Sequence, residues 1–338
     1  MNANEVLANR AIELLGGQKG DYVVVHPNDH VNMSQSTNDV FPTAMRLAAL
    51  EEGKALIGTL ERPSTALHTK SIEFDNIVKS GRTHLQDAVP IRLGQEFGAY
   101  ATSIHKNANR ISEAREELKE IGLGGTAVGT RPPGYRKRVV EELSQLTNES
   151  LRETADYFEA MQSMSPLVRL SGALKTLATD VIRIANDLRL LGSGPNTGLA
   201  EIKLPAVQPG SSIMPGKVNP VIAEMTDMVC FQVMGNDQTI AVAAQAGQLE
   251  LDVMMPVISF NLSMSLHILT SALSALRERC VEQITADEER CRWYVENSVS
   301  LVTVLNPGIG YARGQQRSPN AQWLGARRFV KRLRKKGY

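Results

Sequence analysis

The sequence predicts an all-α fold in which long helices pack side by side as a bundle. Of the 338 residues, 42% are hydrophobic but only 5% are aromatic, so we expect helices joined by aliphatic side chains. Within residues 166–192, aliphatic side chains recur at alternating spacings of three and four, which is the heptad pattern of laterally packed helices. The members of this first stripe are Leu167, Leu170, Leu174, Leu177, Val181, Ile184, Leu188 and Leu191. A second stripe has the same pattern and consists of Leu262, Leu266, Leu269, Leu273, Leu276 and Cys280.

Three further helices belong to the predicted bundle. Residues 4–15 predict a short helix that ends at a glycine-rich turn, and residues 221–246 predict a long helix between the two stripes. Another long helix is expected after residue 93, because it would have one apolar face. That face consists of Leu93, Phe97, Tyr100, Ile104, Ile111 and Leu118. Several apolar stripes in one chain would also suit packing between subunits, so we expect an oligomer.

Composition argues against several classes of protein. The first residues contain neither a basic start nor an apolar segment, and no continuous apolar run approaches the roughly 18 residues that cross a membrane. Three cysteines, at positions 230, 280 and 291, are far apart and odd in number, which is typical of reduced thiols. We therefore expect a cytoplasmic protein without a membrane partner, a cofactor or a metal-ligand motif, although a divalent activator would leave no motif.

The net charge of +1 conceals a basic tail. Residues 312–338 contain nine Lys or Arg and no Asp or Glu, which leaves 28 basic against 36 acidic residues before them. Because this change is abrupt, we interpret the tail as the product of a shifted reading frame that is not part of the fold, and Met1 as an internal start. A tail that binds the phosphates of a nucleic acid is the less favoured alternative.

A dense polar stretch at residues 26–46 precedes a helix that is predicted to begin at about Val40. Backbone N–H groups and hydroxyls at a helix start can hold an anion. Ser36, Thr37 and Asn38 are consecutive donors of this kind, and a helix N-cap would account for only one of them. These three residues are therefore candidates for binding an anionic group.

A second polar stretch, at residues 80–98, contains a hydroxyl donor, Thr83, beside His84, and histidine is the residue type whose unperturbed charge change falls near neutral pH. A lone histidine is more often structural than functional, so this pair alone predicts little. The glycine-rich segment at residues 123–130 lacks the spacing of a phosphate-binding loop and is predicted to be a tight turn between helices. Nucleotide binding is therefore not expected.

The segment P-G-S-S-I-M-P-G-K-V-N-P at residues 209–220 is the most specific motif in the chain. Its two glycines permit tight turns and a close approach of backbone to a ligand. Ser211 is followed by a second serine, and Lys217 and Asn219 add an ammonium and an amide. Hydroxyls beside an ammonium and an amide suit an anionic substrate that loses a proton.

The three polar segments resemble the signature sequences of the fumarase/aspartase superfamily, and the resemblance extends from residue 1 to about residue 311. Four pieces are similar to the branch that eliminates ammonia from L-aspartate: S-T-N-D at 36–39, V-N-P-V at 218–221, F-Q-V-M-G-N-D at 231–237 and A-G-Q-L-E-L-D-V at 246–253. The resemblance implies a homotetramer around a central helical bundle, active sites built from three subunits, and a small dicarboxylate substrate. The branch that interconverts malate and fumarate is the alternative.

The resemblance also implies roles for individual residues. Ser211 would be the base, acting as an alkoxide that removes the C3 proton of L-aspartate, and ammonia would leave from an enediolate-like intermediate to give fumarate. Lys217 and Asn219 match residues that hold a substrate carboxylate. Substrate binding is likewise implied for Ser36, Thr37, Asn38, Thr83 and His84. Glu224 matches an acid that pairs with the histidine, so it would orient His84 and set its charge.

The family pattern divides the chain into a remnant of an N-terminal domain at residues 1–25, a central lyase domain at 26–311 and the tail at 312–338. Relatives carry a threonine-containing substrate loop ahead of the position that matches Met1. Asn196 stands where the family typically has an arginine, and Met255 where a charged residue is usual. These departures favour a further alternative, a catalytically dead helical scaffold, whereas the intact polar segments favour an enzyme.

Overall fold

The computed structural model describes residues 1–130 and 133–298, and this part of the chain is mainly α-helical. The α-helices are α1 Asn2–Leu14, α2 Thr37–Glu73, α3 Leu93–Leu118, α4 Pro133–Thr147, α5 Tyr157–Gln162, α6 Ser165–Leu191, α7 Val221–Ala244, α8 Met255–Arg279 and α9 Glu288–Asn297. A π-helical turn lies at Pro27–Val31 and a 3₁₀ turn at Val281–Gln283. The all-α prediction is therefore confirmed, while the predicted tail at residues 312–338 lies outside the described residues.

Both predicted stripes are buried. No member of the first stripe, which lies on α6, is more than 6% exposed, and no member of the second, on α8 and the residue after it, is more than 4% exposed. The apolar face predicted after residue 93 lies on α3 and is at most 5% exposed. Helical periodicity therefore identified the buried faces of these three helices correctly.

Helix boundaries differ from the predictions by two or three residues. Helix α1 begins at Asn2, two residues earlier than predicted, and α7 ends at Ala244, two residues before the predicted end. Helix α2 begins at Thr37 and not at about Val40, because Ser36 caps it: the Ser36 hydroxyl accepts a hydrogen bond from the backbone N–H of Asn38 at 3.2 Å.

Three small two-stranded sheets accompany the helices in the described part of the chain. The pairs are β1 Val78–Thr83 with β2 Gln86–Arg92, antiparallel; β3 Glu120–Ile121 with β4 Arg152–Glu153, parallel; and β5 Ile202–Lys203 with β6 Thr285–Ala286, antiparallel. The β1–β2 hairpin is not predicted from the sequence, since polar residues and Pro90 interrupt any alternation. Its register shifts between Ser80 and Arg82, at a bulge where a Cβ on Gly81 would lie 2.7 Å from the carbonyl oxygen of Val89.

The chain forms two compact units, which are described separately below. The first unit comprises Met1–Lys54, Ile111–Ala173 and Gly235–Leu266. The second comprises Ala55–Arg110, Leu174–Met234 and, of the described residues after these, 267–298. An aromatic pair lies in the core of the second unit, where the rings of Phe74 and Phe97 meet edge to face at 5.1 Å between their centroids.

The segment Met255–Gln283 is long and apolar enough to cross a membrane, by length and composition alone. The sequence still has no continuous apolar run of that length, because serines and threonines interrupt the segment, but they lower its average hydropathy only slightly. The core helix of a protein that never enters a membrane has the same composition. Since the second stripe of α8 is buried against the rest of the chain, this segment is weak evidence for a membrane span.

Candidate active site

The signature loop at residues 209–220 folds back on itself immediately before α7. The backbone N–H of Ser211 donates to the carbonyl oxygen of Lys217 at 3.2 Å, and the N–H of Lys217 donates to that of Met214 at 3.3 Å. A Cβ on Gly210 would lie 2.3 Å from the Lys217 carbonyl oxygen, and Gly216 has φ +79°. Both positions therefore require glycine, and the two glycines fix the shape of the loop.

This fold directs two backbone donors at the hydroxyl of Ser211. Its Oγ accepts hydrogen bonds from the N–H groups of Ile213, at 3.3 Å, and Met214, at 3.2 Å. Such donors stabilise an oxyanion more than a neutral hydroxyl, because hydrogen bonds to a charged acceptor are the stronger ones. The loop is thus arranged to favour the alkoxide form of Ser211.

Lys217 and Asn219 line a cleft of about 700 Å³ in the second unit. Among the residues that the structure describes, no carboxylate pairs with the exposed Lys217 ammonium, so its charge is available to an anion in the cleft. Arg290 lines the same cleft and is held by hydrogen bonds from Nε to the carbonyl oxygen of Leu199 and from Nη2 to that of Gly198, both at 3.1 Å. Asn196, one of the departures from the family pattern, is also a lining residue.

Thr83 and His84 lie at the tip of the β1–β2 hairpin, and both are exposed. His84 and Leu85 form the two-residue turn with φ +54° and +58°, the left-handed conformation that two-residue hairpin turns need. For residues other than glycine this conformation costs on the order of 1 kcal/mol each. The hairpin pairing of Thr83 with Gln86 holds the turn in this strained form.

A buried cluster of ion pairs holds strand β1 of the hairpin. Lys79 of β1 pairs with Glu201 at 2.7 Å and with Glu96 at 2.8 Å, and Arg82, next to Thr83, pairs with Glu201 at 2.9 Å. The side chains of Lys79 and Glu201 are 1% and 0% exposed. Burial raises the pKa of Glu96, against the opposing effect of Lys79. No motif marks this cluster in the sequence.

The first unit contains the other predicted binding segment. Ser36 is the N-cap of α2, the Asn38 amide donates to the carbonyl oxygen of Ala127 at 3.0 Å, and Thr37 is exposed. Residues 123–130 form the tight turn that was predicted. Capping therefore accounts for one of the three donors, as expected, and Asn38 additionally holds the glycine-rich turn.

Asp39 connects this helix start to the turn and is absent from the residues predicted above. Its side chain is fully buried, with Oδ1 accepting from the N–H of Ser36 at 2.9 Å. Its Oδ2 accepts from the N–H groups of Gly124 and Thr126, also at 2.9 Å each. An acid at the third position after an N-cap was the available signal, because such acids commonly return a hydrogen bond to the cap.

We expect Asp39→Ala to lower the free energy of unfolding by about 2–3 kcal/mol or more, since it leaves buried N–H groups without an acceptor. Urea denaturation at a fixed protein concentration would measure the loss. The control is Asp29→Ala, at a side chain that is 78% exposed, where little change is expected. Equal midpoints for the two variants would contradict this account of Asp39.

Glu224 lies in the first turn of α7, and its charged partner within the described part of the chain is Arg189, at 3.7 Å, and not His84. The pairing of Glu224 with a histidine, which the resemblance implies, is thus not made inside one chain. A pairing with His84 of another subunit stays a prediction. The structure therefore places Ser211, Lys217 and Asn219 in one loop of the second unit, and no hydrogen bond between this loop and the hairpin tip at Thr83 and His84 is made among the described residues of that unit.

Metal ligation and thiol chemistry have little support in the described ranges. Within residues 1–130 and 133–298, no group of three or more His, Cys, Asp or Glu could hold a metal ion. Cys230, Cys280 and Cys291 are buried and free, and burial raises the pKa of each thiol to about 12. Thiols of this kind are inert because they do not ionise near neutral pH.

Comparison with known proteins identifies lyases as relatives of this chain. A family model described as lyase matches residues 1–235. The aspartate ammonia-lyase of Bacillus subtilis is 49% identical over 314 residues, which cover 92% of this chain and 66% of that protein. The aspartate ammonia-lyase of Helicobacter pylori is 48% identical over 316 residues, which cover 93% of this chain and 68% of that protein. The chain thus spans just under two thirds of the length of the Bacillus subtilis relative.

Solved structures match equally well. The crystal structure of fumarate lyase:delta crystallin from Brucella melitensis bound to cobalt superposes with a TM-score of 0.92 and 50% identity, covering 95% of this chain and 70% of that one. The crystal structure of recombinant class II fumarase from Schistosoma mansoni also has a TM-score of 0.92, with 41% identity, and the match covers 95% of this chain and 71% of that one.

Proposed function

This chain belongs to the fumarase/aspartase superfamily of lyases, and we propose that it catalyses the reversible elimination of ammonia from L-aspartate to give fumarate. Aspartate ammonia-lyases about half identical to this chain support that substrate. The interconversion of malate and fumarate is the second candidate, because the chain is also 41% identical to a class II fumarase.

The geometry around Ser211 is the observation that carries the proposal. The C3 proton of aspartate is very weakly acidic, so its removal needs a strong base in a prepared environment. Two N–H groups at 3.2 and 3.3 Å favour the alkoxide of Ser211, and the ammonium of Lys217 in the same loop adds positive charge. These contacts support Ser211 as the base.

In this proposal, charged and polar side chains bind the carboxylates of the substrate. Lys217 and Asn219 hold one carboxylate in the cleft, and the Ser36-Thr37-Asn38 segment and the Thr83-His84 hairpin tip supply further donors from other subunits. One carboxylate of the substrate gains charge in the transition state, so hydrogen bonds from fixed donors to it become stronger there. These donors therefore stabilise the transition state more than the bound substrate, which lowers the barrier.

Elimination proceeds in two steps. In the first, the C3–H bond breaks, the proton moves to Oγ of Ser211, and the electron pair enters the neighbouring carboxylate to give an enediolate-like dianion. In the second, that pair returns to form the C2–C3 double bond, and the C2–N bond breaks with its pair on nitrogen. The products are fumarate and ammonia, and the proton on Ser211 returns to water.

A homotetramer in the cytoplasm is part of the proposal, with Glu224 of one subunit orienting His84 of another. In the second unit, α7 exposes Met228 (62%) and Phe231 (56%), and in the first unit α8 exposes Phe260 (68%). Large apolar side chains exposed on helices are typical of surfaces that other chains cover. The exposed position of residues 212–218 supports the same assembly, because an alkoxide needs a site from which water is excluded.

Fumarate formation tests the proposed function. The full chain is purified, its tetramer fraction is collected by size-exclusion chromatography, and fumarate is followed by ultraviolet absorbance with L-aspartate and L-malate in parallel. We expect fumarate from aspartate, and none from a Ser211→Ala control. Fumarate from malate alone would support the hydratase candidate instead, and no product from either substrate by a folded tetramer would favour the scaffold alternative.

A further inference from the structure

Three charged side chains meet beside the signature loop, where α6 and α7 pack together in the second unit. Arg189 of α6 donates from Nη1 to Oδ2 of Asp227 at 3.0 Å, and its Nη2 lies 3.7 Å from Oε1 of Glu224. Asn186 accepts a further hydrogen bond from Nη1 of Arg189, at 2.9 Å. Nη1 of the guanidinium is therefore held by two acceptors, and Nη2 faces Glu224.

Asp227 is an unusual member of this cluster because it is only 3% exposed. Its Oδ1 is buried and makes no hydrogen bond with any residue that the structure describes. Burial raises the pKa of Asp227, and Arg189 opposes that rise. A buried carboxylate with one unsatisfied oxygen destabilises a fold, so its presence beside a candidate site suggests that it holds Arg189 in place for a function.

Glu224 differs from Asp227 in its surroundings. About 40% of its side chain is exposed, and in the described part of the chain its only charged partner is Arg189, which faces Oε1. The second oxygen, Oε2, is left without a hydrogen-bond donor in those residues. A carboxylate with one oxygen beside a guanidinium and the other open is ready to accept a hydrogen bond from an imidazole.

We propose that Arg189, held by Asp227, is a positioning residue that fixes the carboxylate of Glu224 so that its free oxygen receives the imidazole of His84 from another subunit. The proposal rests on the proposed function, in which that pair helps to bind and orient the substrate. A free glutamate would sample several rotamers, and the guanidinium, 3.7 Å away, favours those that keep Oε1 beside it. Arg189 itself does not touch the substrate.

Arg189→Gln tests this role in the full chain, assayed as the tetramer with L-aspartate. We expect kcat/KM to fall between about 10- and 100-fold, the scale expected when a catalytic group loses its alignment. Arg189→Lys should recover part of the loss, because it keeps the charge without the fork geometry. The matched control is Arg183→Gln on the same helix, which removes a 3.5 Å ion pair to Asp187 and should change kcat/KM less than twofold.

A double-mutant cycle separates positioning from general stability. If Arg189 acts through Glu224, adding Arg189→Gln to Glu224→Gln should reduce kcat/KM less than threefold further, since the group it positions is already absent. Independent effects that multiply, or a wild-type rate for Arg189→Gln, would overturn the inference. If Arg189→Gln does not form a tetramer, the cycle is run with Arg189→Lys.

Failure of the proposed function and failure of this inference give different results. If the unaltered chain is inactive on aspartate, the proposed function is overturned, and this inference with it. If the unaltered chain is active and Arg189→Gln has the same kcat/KM, the inference alone is overturned.

Discussion

Replacement of Ser211 by alanine is expected to lower kcat for ammonia elimination by about two to four orders of magnitude, the usual contribution of a general base. The substitution removes one oxygen from a loop whose shape depends on Gly210 and Gly216, so the loop should keep its fold. The N–H groups of Ile213 and Met214, which donate to Oγ in the unaltered chain, would then face water or substrate. Binding of the substrate carboxylates should persist, so KM should change much less than kcat.

Ser212→Ala is the matched control for this prediction. It removes the same atom from the neighbouring residue, which is exposed, so kcat should stay within about threefold of wild type. Steady-state rates of fumarate formation and thermal melting of both variants would give the comparison. A large loss of kcat in Ser212→Ala together with a small loss in Ser211→Ala would show that Ser211 is not the base, and would contradict the proposed mechanism.

The sequence was sufficient where the signal is local or periodic. The stripes on α3, α6 and α8 repeat with the helical period, so their burial could be read without knowing any partner. The loop around Ser211 was equally accessible, because its glycines, its serine and Lys217 lie within eight residues of one another. The resemblance to a family then supplied chemistry that the residues alone left open.

Residues whose partners are distant in the chain could not be predicted. Glu201 and Arg82 are 119 positions apart, and Asp39 and Gly124 are 85 positions apart, so nothing in either local pattern connects them. Arg189 and Asp227 lie on different helices, and each looks like an ordinary charged residue of an amphipathic helix. The β1–β2 hairpin was also not predicted from the sequence, because its bulge at Gly81 removes the alternation of apolar and polar residues that marks a strand.

Replacement of Glu201 by glutamine is expected to lower the free energy of unfolding by about 3–5 kcal/mol, the usual effect of breaking a buried ion pair. Glu201 is fully buried and neutralises Arg82 at 2.9 Å and Lys79 at 2.7 Å. Without its charge, Lys79 keeps Glu96, but Arg82 loses its carboxylate partner and keeps a hydrogen bond to the carbonyl oxygen of Ser80, at 3.3 Å, and the stacking of its guanidinium over the ring of Tyr294, at 4.9 Å. Glutamine has nearly the same volume, so the loss would reflect charge and not a cavity.

The measurement is urea denaturation at a fixed protein concentration, because assembly contributes to the stability of an oligomer. Asp75→Asn serves as the control: it removes a 2.8 Å ion pair with Arg92 in the same unit, but both side chains are about half exposed, so less than about 1 kcal/mol should be lost. Equal losses in the two variants would mean that the buried cluster does not hold the hairpin.

Glu201→Gln should also affect substrate binding, because Arg82 of the cluster immediately precedes Thr83 and His84. The strained turn at φ +54° and +58° persists only while the strands below it are held, so a loosened hairpin would relax. Without urea, and at a temperature where the variant is still folded, KM for aspartate should therefore rise by about tenfold. The reason is that the hairpin donors would no longer be fixed before binding. A variant with the expected loss of stability but an unchanged KM would place the cluster in the fold alone and remove Thr83 and His84 from the substrate site.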